Sequence, residues 1–352
     1  MQKKRLYVLQ MVAIMLLVPF FLSSLVLTIR VSLLSDLVAM ASPPSALPGD
    51  IIIRFSDPNF EAAVREEIGK PKGDITANDV VGVTSLNVVG YNIADLTGIE
   101  YFTALEELSC GANQLTELDV SQNTMLTSLD CSQNQLTMLD VSNNAALKWL
   151  GCWGNQLTSL SVSGAAALER LECSNNDLAV LDVSQNTMLE RLFCGNNQLT
   201  TLGVSSNTVL TSLYCGDNPL TTLDVGNNVA LTSLTCDGNR LTTLDVSSNP
   251  VLSYLHCNDN QLTTLDVSNN PALAYLHCDD NRLTTLDVSS NPALIYLFCS
   301  GNQLTTLDVS HNTVLTRLHC DGNLFSDQSV ILGLNEQKLR SFVFDPQGSI
   351  TP

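Results

Sequence analysis

From Leu105 onward the apolar residues of the chain recur with a period of 21 positions. Each unit opens with Leu-x-x-Leu-x-Cys, in which the fourth and sixth residues alternate with polar ones at the period of two that marks a half-buried strand. A second apolar run follows, typified by LTTLDVSSNPV, and Ser, Asn, Gly and Pro then close the unit as turn chemistry requires. Ten complete units begin at Leu105, Leu126, Leu147, Leu168, Leu189, Leu210, Leu231, Leu252, Leu273 and Leu294, and an eleventh begins at Leu315 and then diverges. All eleven cysteines hold the sixth position, from Cys110 to Cys320, and all eleven ninth positions are asparagine, from Asn113 to Asn323. Residues 83–104 form a degenerate 22-residue unit, with Val88 at the cysteine position and Tyr91 at the asparagine position.

A unit this short cannot close a core alone. It must bury its apolar side on its neighbours, which predicts a solenoid whose strands stack about 4.8 Å apart in a parallel sheet. Positions four and six then face the interior, and positions three, five and seven face out from the sheet. Leu and Val of the second run line the opposite wall. The ninth-position amides carry donors and an acceptor, so stacked coil on coil they can satisfy backbone groups where the sheet ends.

Both ends depart from the period. In SDPNFEAAVREEIGKPKGDITANDV, Asp57 is placed to cap a helix, Pro58 suits its first position and Gly69 its end. Leu339, Phe342 and Phe344 repeat the strand spacing with larger side chains, after a short helical turn expected near Asp327–Leu334. At the start, Lys3, Lys4 and Arg5 precede an apolar run from Leu6 to Ile29, long for a signal-peptide centre and sufficient for a membrane span. Two readings stand: an uncleaved anchor, or a signal cut after Ala39-Met40-Ala41. Either one exports the remainder. The expected organisation is 1–41 signal peptide or signal anchor, 42–56 linker, 57–82 N-terminal helical cap, 83–323 repeats and 324–352 carboxyl cap and tail.

The repeat matches the leucine-rich repeat consensus Leu-x-x-Leu-x-Leu-x-x-Asn-x-Leu, with cysteine at the third apolar position. It resembles the cysteine-ladder kind of bacterial internalin-like repeat, which has the same length. The resemblance covers about residues 83–323. It implies a leucine-rich repeat solenoid with a curved parallel β-sheet on the concave face, a β or irregular convex side, an N-terminal helical cap and a preceding transmembrane or signal helix. It also implies a surface-exposed binding or adhesion protein.

Charge narrows the partners. The formal net charge is −19, from 16 Lys+Arg against 35 Asp+Glu, which repels nucleic acid and anionic membrane surfaces, leaving membrane contact to the N-terminal segment alone. At 45% apolar and 14% charged the chain is expected to fold rather than remain disordered. Eleven cysteines in an exported protein suggest disulfides, but thiols on parallel strands have parallel Cβ vectors, and a disulfide needs a dihedral near ±90°. They are read as buried thiols acting as small core residues. The fifteenth position is Asp in eight of ten units, failing at Ser161 and Gly203, and each carboxylate is expected to accept backbone N–H groups of the following turn, with calcium bridging as the alternative.

The outward positions carry the candidate chemistry. Between residues 105 and 323 there are eight aromatics, Trp149, Trp153, Phe193, Tyr214, Tyr254, Tyr275, Tyr296 and Phe298, and every one occupies position three, five or seven. His256, His277 and His319 all occupy position five. Large exposed rings there predict a recognition surface. Its densest part pairs Tyr254 with His256, Tyr275 with His277, Tyr296 with Phe298 and Arg317 with His319, bordered by Asp237, Asp259, Asp279, Asp280 and Asp321. A second patch joins Trp149 and Trp153 to Arg170 and Arg191. These residues are the expected ligand-binding set, for a protein or glycan, with no cofactor and no resident metal. A structural spacer is the second reading. A hydrolase is the third, and no nucleophile elbow, catalytic carboxylate pair or phosphate loop supports it.

Overall fold

The computed structural model describes residues 51–345 and 347, and from Ile52 onward the described residues belong to one compact unit. The expected signal or anchor segment lies outside the described residues. Among those described, no helix is long and apolar enough to cross a membrane.

The repeats form a parallel sheet of thirteen short strands. Eleven belong to the cysteine-bearing units. The other two are Ser85–Asn87 of the degenerate unit and Ser341–Val343 of the carboxyl cap. The register sets like on like: Leu86 opposite Leu108, Leu108 opposite Leu129, and so on to Leu318 opposite Phe342. Each strand is only three residues long because the ladder needs just the alternation out, in, out before the chain bends, as in Tyr254–His256, whose central Leu255 alone is buried. Around the bend the second apolar run returns along the other wall, where short pairings such as Met138–Asp140 with Ser159–Ser161 are the β content of the convex side.

The interior is a column of leucine and valine with all eleven cysteine side chains buried and unpaired. Burial pushes these thiols up, Cys173 and Cys215 to about 12. They are therefore protonated, apolar and unreactive at neutral pH.

Asparagine ties coil to coil. Asn239 Nδ2 donates to the carbonyls of Cys236 at 3.0 Å, Asp237 at 3.0 Å and Cys215 one coil back at 3.1 Å, while its Oδ1 accepts from Leu220 N at 3.1 Å. The same pattern runs from Asn113 to Asn323. A second ladder, which the sequence reading had folded into turn chemistry, stands at position nineteen. Asn249 is wholly buried and its Nδ2 donates to Val225 O at 3.1 Å and Asn228 O at 2.9 Å, both one coil back. The unit that begins at Leu147 breaks this ladder with Ala165. There Gly164 approaches Ser142 so closely that a Cβ would overlap its carbonyl.

The eight aspartates at position fifteen behave as expected of local turn acceptors. Asp245 Oδ1, for example, takes the Ser247 N–H at 2.9 Å, and hydrogen bonds from the Ser247 hydroxyl and N–H hold its carboxyl below the ordinary carboxylate value.

The N-terminal end is closed by a helix, α1, at Pro58–Glu67. Asp57 caps it, accepting from Asn59 N at 2.7 Å and Phe60 N at 3.2 Å, and its second oxygen accepts from Ala94 N at 2.7 Å in the degenerate coil. One carboxylate thus satisfies orphan helix donors and fastens the helix to the solenoid. Phe60 is fully buried against Phe55 and Phe102, and Gly69 closes the helix at φ +64. At the carboxyl end Asp327 caps a 3-10 turn at Gln328–Val330, where a helical turn was expected.

Candidate functional site

Because Leu and Cys take the inward positions of every strand, whatever stands at positions three and five is carried on the concave face. Eleven of the twelve sequence-selected residues stand at these positions, and Trp153 stands at position seven, just past its strand. The structure arranges them as two groups.

In the carboxyl-terminal group the rings form two columns. Tyr254, Tyr275 and Tyr296 follow one another with centroids 5.9 and 5.0 Å apart, and the Arg317 guanidinium lies over Tyr296 at 4.6 Å. Beside them His256, His277, Phe298 and His319 follow one another with centroids 3.7, 4.4 and 4.2 Å apart, the first two contacts tilted and the last stacked. The two columns touch, Tyr254 to His256 at 4.5 Å. These rings are half-buried rather than standing free as the sequence had suggested, because in-register pairing brings each against the next coil's ring. Burial lowers the histidines, and His277, with His256 and His319 on either side, falls to about 4. At neutral pH the rings themselves are therefore uncharged.

Its border is acidic. Asp237, Asp279 and Asp321 follow one another at position seven, with Asn258 and Ser300 between them, and Asp217, Asp259 and Asp280 stand at position eight. The position-eight aspartates have positive φ, near +50°, a conformation that Asp tolerates better than most residues. Asp279 accepts from Ser300 N at 2.9 Å, and Asp321 from Ser300 Oγ at 2.6 Å. Burial, with Asp280 and Asp321 nearby, raises Asp279 to about 6. Burial and neighbouring carboxylates also raise Asp237 and Asp280. Glycine makes room: a Cβ on Gly238 or Gly301 would collide with the carboxylate of Asp217 or Asp280 in the preceding coil.

The second group surrounds a depression of about 350 Å³ lined by Trp153, Arg170, Glu172, Ser174, Asn175, Phe193 and Tyr214. Arg170 forms an ion pair with Glu172 and lies over the Phe193 ring at 5.5 Å. Trp149 Nε1 reaches Glu172 at 3.4 Å. The rings lie down on glycine: Trp149 covers Gly151, and Tyr214 occupies the space a Cβ on Gly195 would take. Arg191 is exposed beside them.

Sequence reasoning had not singled out Glu172, Ser174, Asn175 or Asp217. The available signal was a glycine one rung from an aromatic or an aspartate, which marks a side chain laid across its neighbour. Among the described residues no group of three or more His, Cys, Asp or Glu side chains is arranged to hold a metal ion.

Residues 55–207 match the family model described as the leucine-rich repeat domain of the endo-beta-N-acetylglucosaminidase EndoS. Internalin J of Listeria monocytogenes is 42% identical over 71 residues, which is 20% of this chain and 8% of that protein's length. Among solved structures, the functional domain of InlJ from Listeria monocytogenes, described as including a cysteine ladder, superposes with a TM-score of 0.75 at 37% identity, covering 83% of this chain and 70% of that one. A leucine-rich repeat protein of Leptospira interrogans gives a TM-score of 0.69 at 25% identity, covering 75% of this chain and 73% of its own. An internalin F structure from Listeria monocytogenes, at 24% identity and a TM-score of 0.66, shares the fold over 83% of this chain and 96% of its own. On the shared 21-residue coil, the stacked buried thiols and the match to InlJ along most of both chains, this protein belongs to the cysteine-ladder internalins, within the bacterial leucine-rich repeat proteins.

Proposed function

We propose that the protein is an extracytoplasmic, non-enzymatic recognition and adhesion module that binds a protein or glycan partner on its concave sheet. The segregation of rings carries this reading. Every aromatic between residues 105 and 323 stands on the outer face of the sheet, in two groups, although nothing in the packing of the coil requires an aromatic there. Rigid rings supply contact area at low entropic cost. Export follows from the basic residues and long apolar run at the amino end, by which the chain is held at the cell surface or secreted. A uniform spacer would have no use for two chemically different clusters.

The test is a protein and glycan array probed with the full chain and with a variant carrying alanine at all eight concave aromatics. The wild type is expected to retain specific partners that the variant loses, with circular dichroism and melting preserved. Identical binding by both would overturn the reading.

A further inference from the structure

The concave face of the units beginning at Leu231, Leu252 and Leu273 joins two properties that specify a partner more narrowly. Its ring strip is neutral, and the ridge beside it is negative and unpaired. The ion pairs among the described residues are Glu61–Arg65, Lys70–Asp79, Lys148–Glu169 and Arg170–Glu172, and none involves Asp237, Asp259, Asp279 or Asp280. Arg240 and Arg282, two positions beyond the ridge, stay exposed and form no ion pair with it.

Unlike the aspartates of the opposite wall, each spent on its own turn, the ridge is held against its own repulsion. Asp237 Oδ1 is buried with no hydrogen-bond partner, and like charges one rung apart disfavour one another. Glycines at 238 and 301 keep neighbouring carboxylates laid down on the sheet. The molecule also shows how a cation rests on such rings. Arg317 places its guanidinium on Tyr296, which leaves Tyr254 and Tyr275 without one.

Resting on the concave face being the binding surface, we infer that this strip docks an extended, basic segment of a protein partner. Its Lys or Arg side chains meet Asp237, Asp259, Asp279 and Asp280, and its aliphatic or guanidinium surfaces cover Tyr254 and Tyr275. The strip suits an extended segment because its rings and carboxylates recur once per rung, about every 4.8 Å, in parallel lines along the solenoid axis. A neutral glycan would stack on the rings and donate hydroxyls to the carboxylates, but it would leave their charge uncompensated.

The experiment measures binding of the full chain to synthetic 15-residue peptides in which Arg and Lys alternate with Leu and Ser. Matched peptides carry Gln or Glu at the basic positions, and neutral oligosaccharides are run beside them. Three variants are compared: Asp237→Asn with Asp259→Asn, Asp279→Asn and Asp280→Asn; Tyr254→Ala with Tyr275→Ala; and a charge control, Asp224→Asn with Asp245→Asn, Asp266→Asn and Asp287→Asn on the opposite wall. Asparagine keeps an acceptor oxygen and tolerates positive φ, so the ridge variant is expected to melt at or above wild type, and melting curves of all three establish that each is folded.

Basic peptides should bind selectively, and the ridge variant should weaken them about tenfold or more at low salt, against less than about threefold for the equally charged control. The tyrosine variant should weaken them as well. Equal losses in the ridge and control variants would mean diffuse attraction and overturn the inference. So would preference for Gln peptides, Glu peptides or oligosaccharides. If a non-basic ligand binds and depends on the tyrosines alone, the inference falls while the concave recognition surface stands. If no ligand, basic or otherwise, depends on the rings, both fall.

Discussion

Leu255 and its two neighbours, Tyr254 and His256, share one three-residue strand and live under opposite rules. Leu255 points into a column where the residue above and the residue below are also leucine, so a change there is felt by three coils at once. Tyr254 and His256 point outward, where their neighbours differ from coil to coil: Ser233 and Thr235 on one side, Tyr275 and His277 on the other. Repetition in the sequence therefore records the dry side of the rung, and variation records the wet side. The sheet tolerates tyrosine, histidine, serine, arginine or tryptophan outward because the backbone ladder is made regardless.

The contrast is sharpest at the sixth position. Cys236→Asp places a carboxylate where exposure is zero, and it should cost about 4 kcal/mol or more in a chemical-denaturation measurement. Near-wild-type stability would mean that the sixth position reaches water.

The two asparagine ladders should separate by their hydrogen bonds. Asn239→Ala removes four, stranding an N–H and several carbonyls, and should cost about 2–4 kcal/mol. Asn249→Ala removes two and should cost about 1–2 kcal/mol. Equal losses in denaturant melts would show that the sheet-side bend is no more demanding than the rear one.

On the outer face the expected effect is smaller and depends on pH. Asp279 is raised from 3.8 to about 6 chiefly by burial, so the folded chain takes up a proton there while the unfolded carboxyl is still ionised. Its ionisation therefore works against folding above pH 6, and stability is regained as pH falls from 6 toward 3.8. Asp279→Asn keeps an oxygen for Ser300 N and should stabilise by roughly 1–3 kcal/mol at pH 7.5, with the gain shrinking toward zero near pH 4. His277 moves the other way, losing stability as pH falls from 6.5 toward about 4. Both proteins carry it, so it cancels in the difference between their melting curves. A pH-independent difference would place Asp279 in contact with bulk water.

The period made the fold class, the buried thiols, the sheet-side asparagines and the outward placement of every ring readable from sequence, because each depends only on alternation within one unit. Asp57 and Pro58 likewise announced the helix they start. What stayed hidden depends on contacts between units. Asn249 and its counterparts looked like turn residues because Ser-x-Asn is ordinary turn chemistry, and only the stacking of coils shows that their amides reach back one coil. Tyr214 lying over Gly195, and Glu172 joining Trp149 to Arg170, required knowing which coil's outward residue leans on which. The contact of His256 with His277 follows from register, but the tilt and half-burial of the two rings depend on how each leans across the rung.

The asparagine bonds just described reach one coil back and no further. Length is therefore a free parameter of this architecture. Excising any whole number of 21-residue units from the middle should leave the remaining floors mated as before, while removing 20 or 22 would oblige one turn to absorb the odd residue, as the 22-residue spacing from Leu86 to Leu108 does. The protein has, in effect, a reading frame in three dimensions. A lineage could lengthen or shorten its reach by copying or dropping storeys without redesigning a single joint.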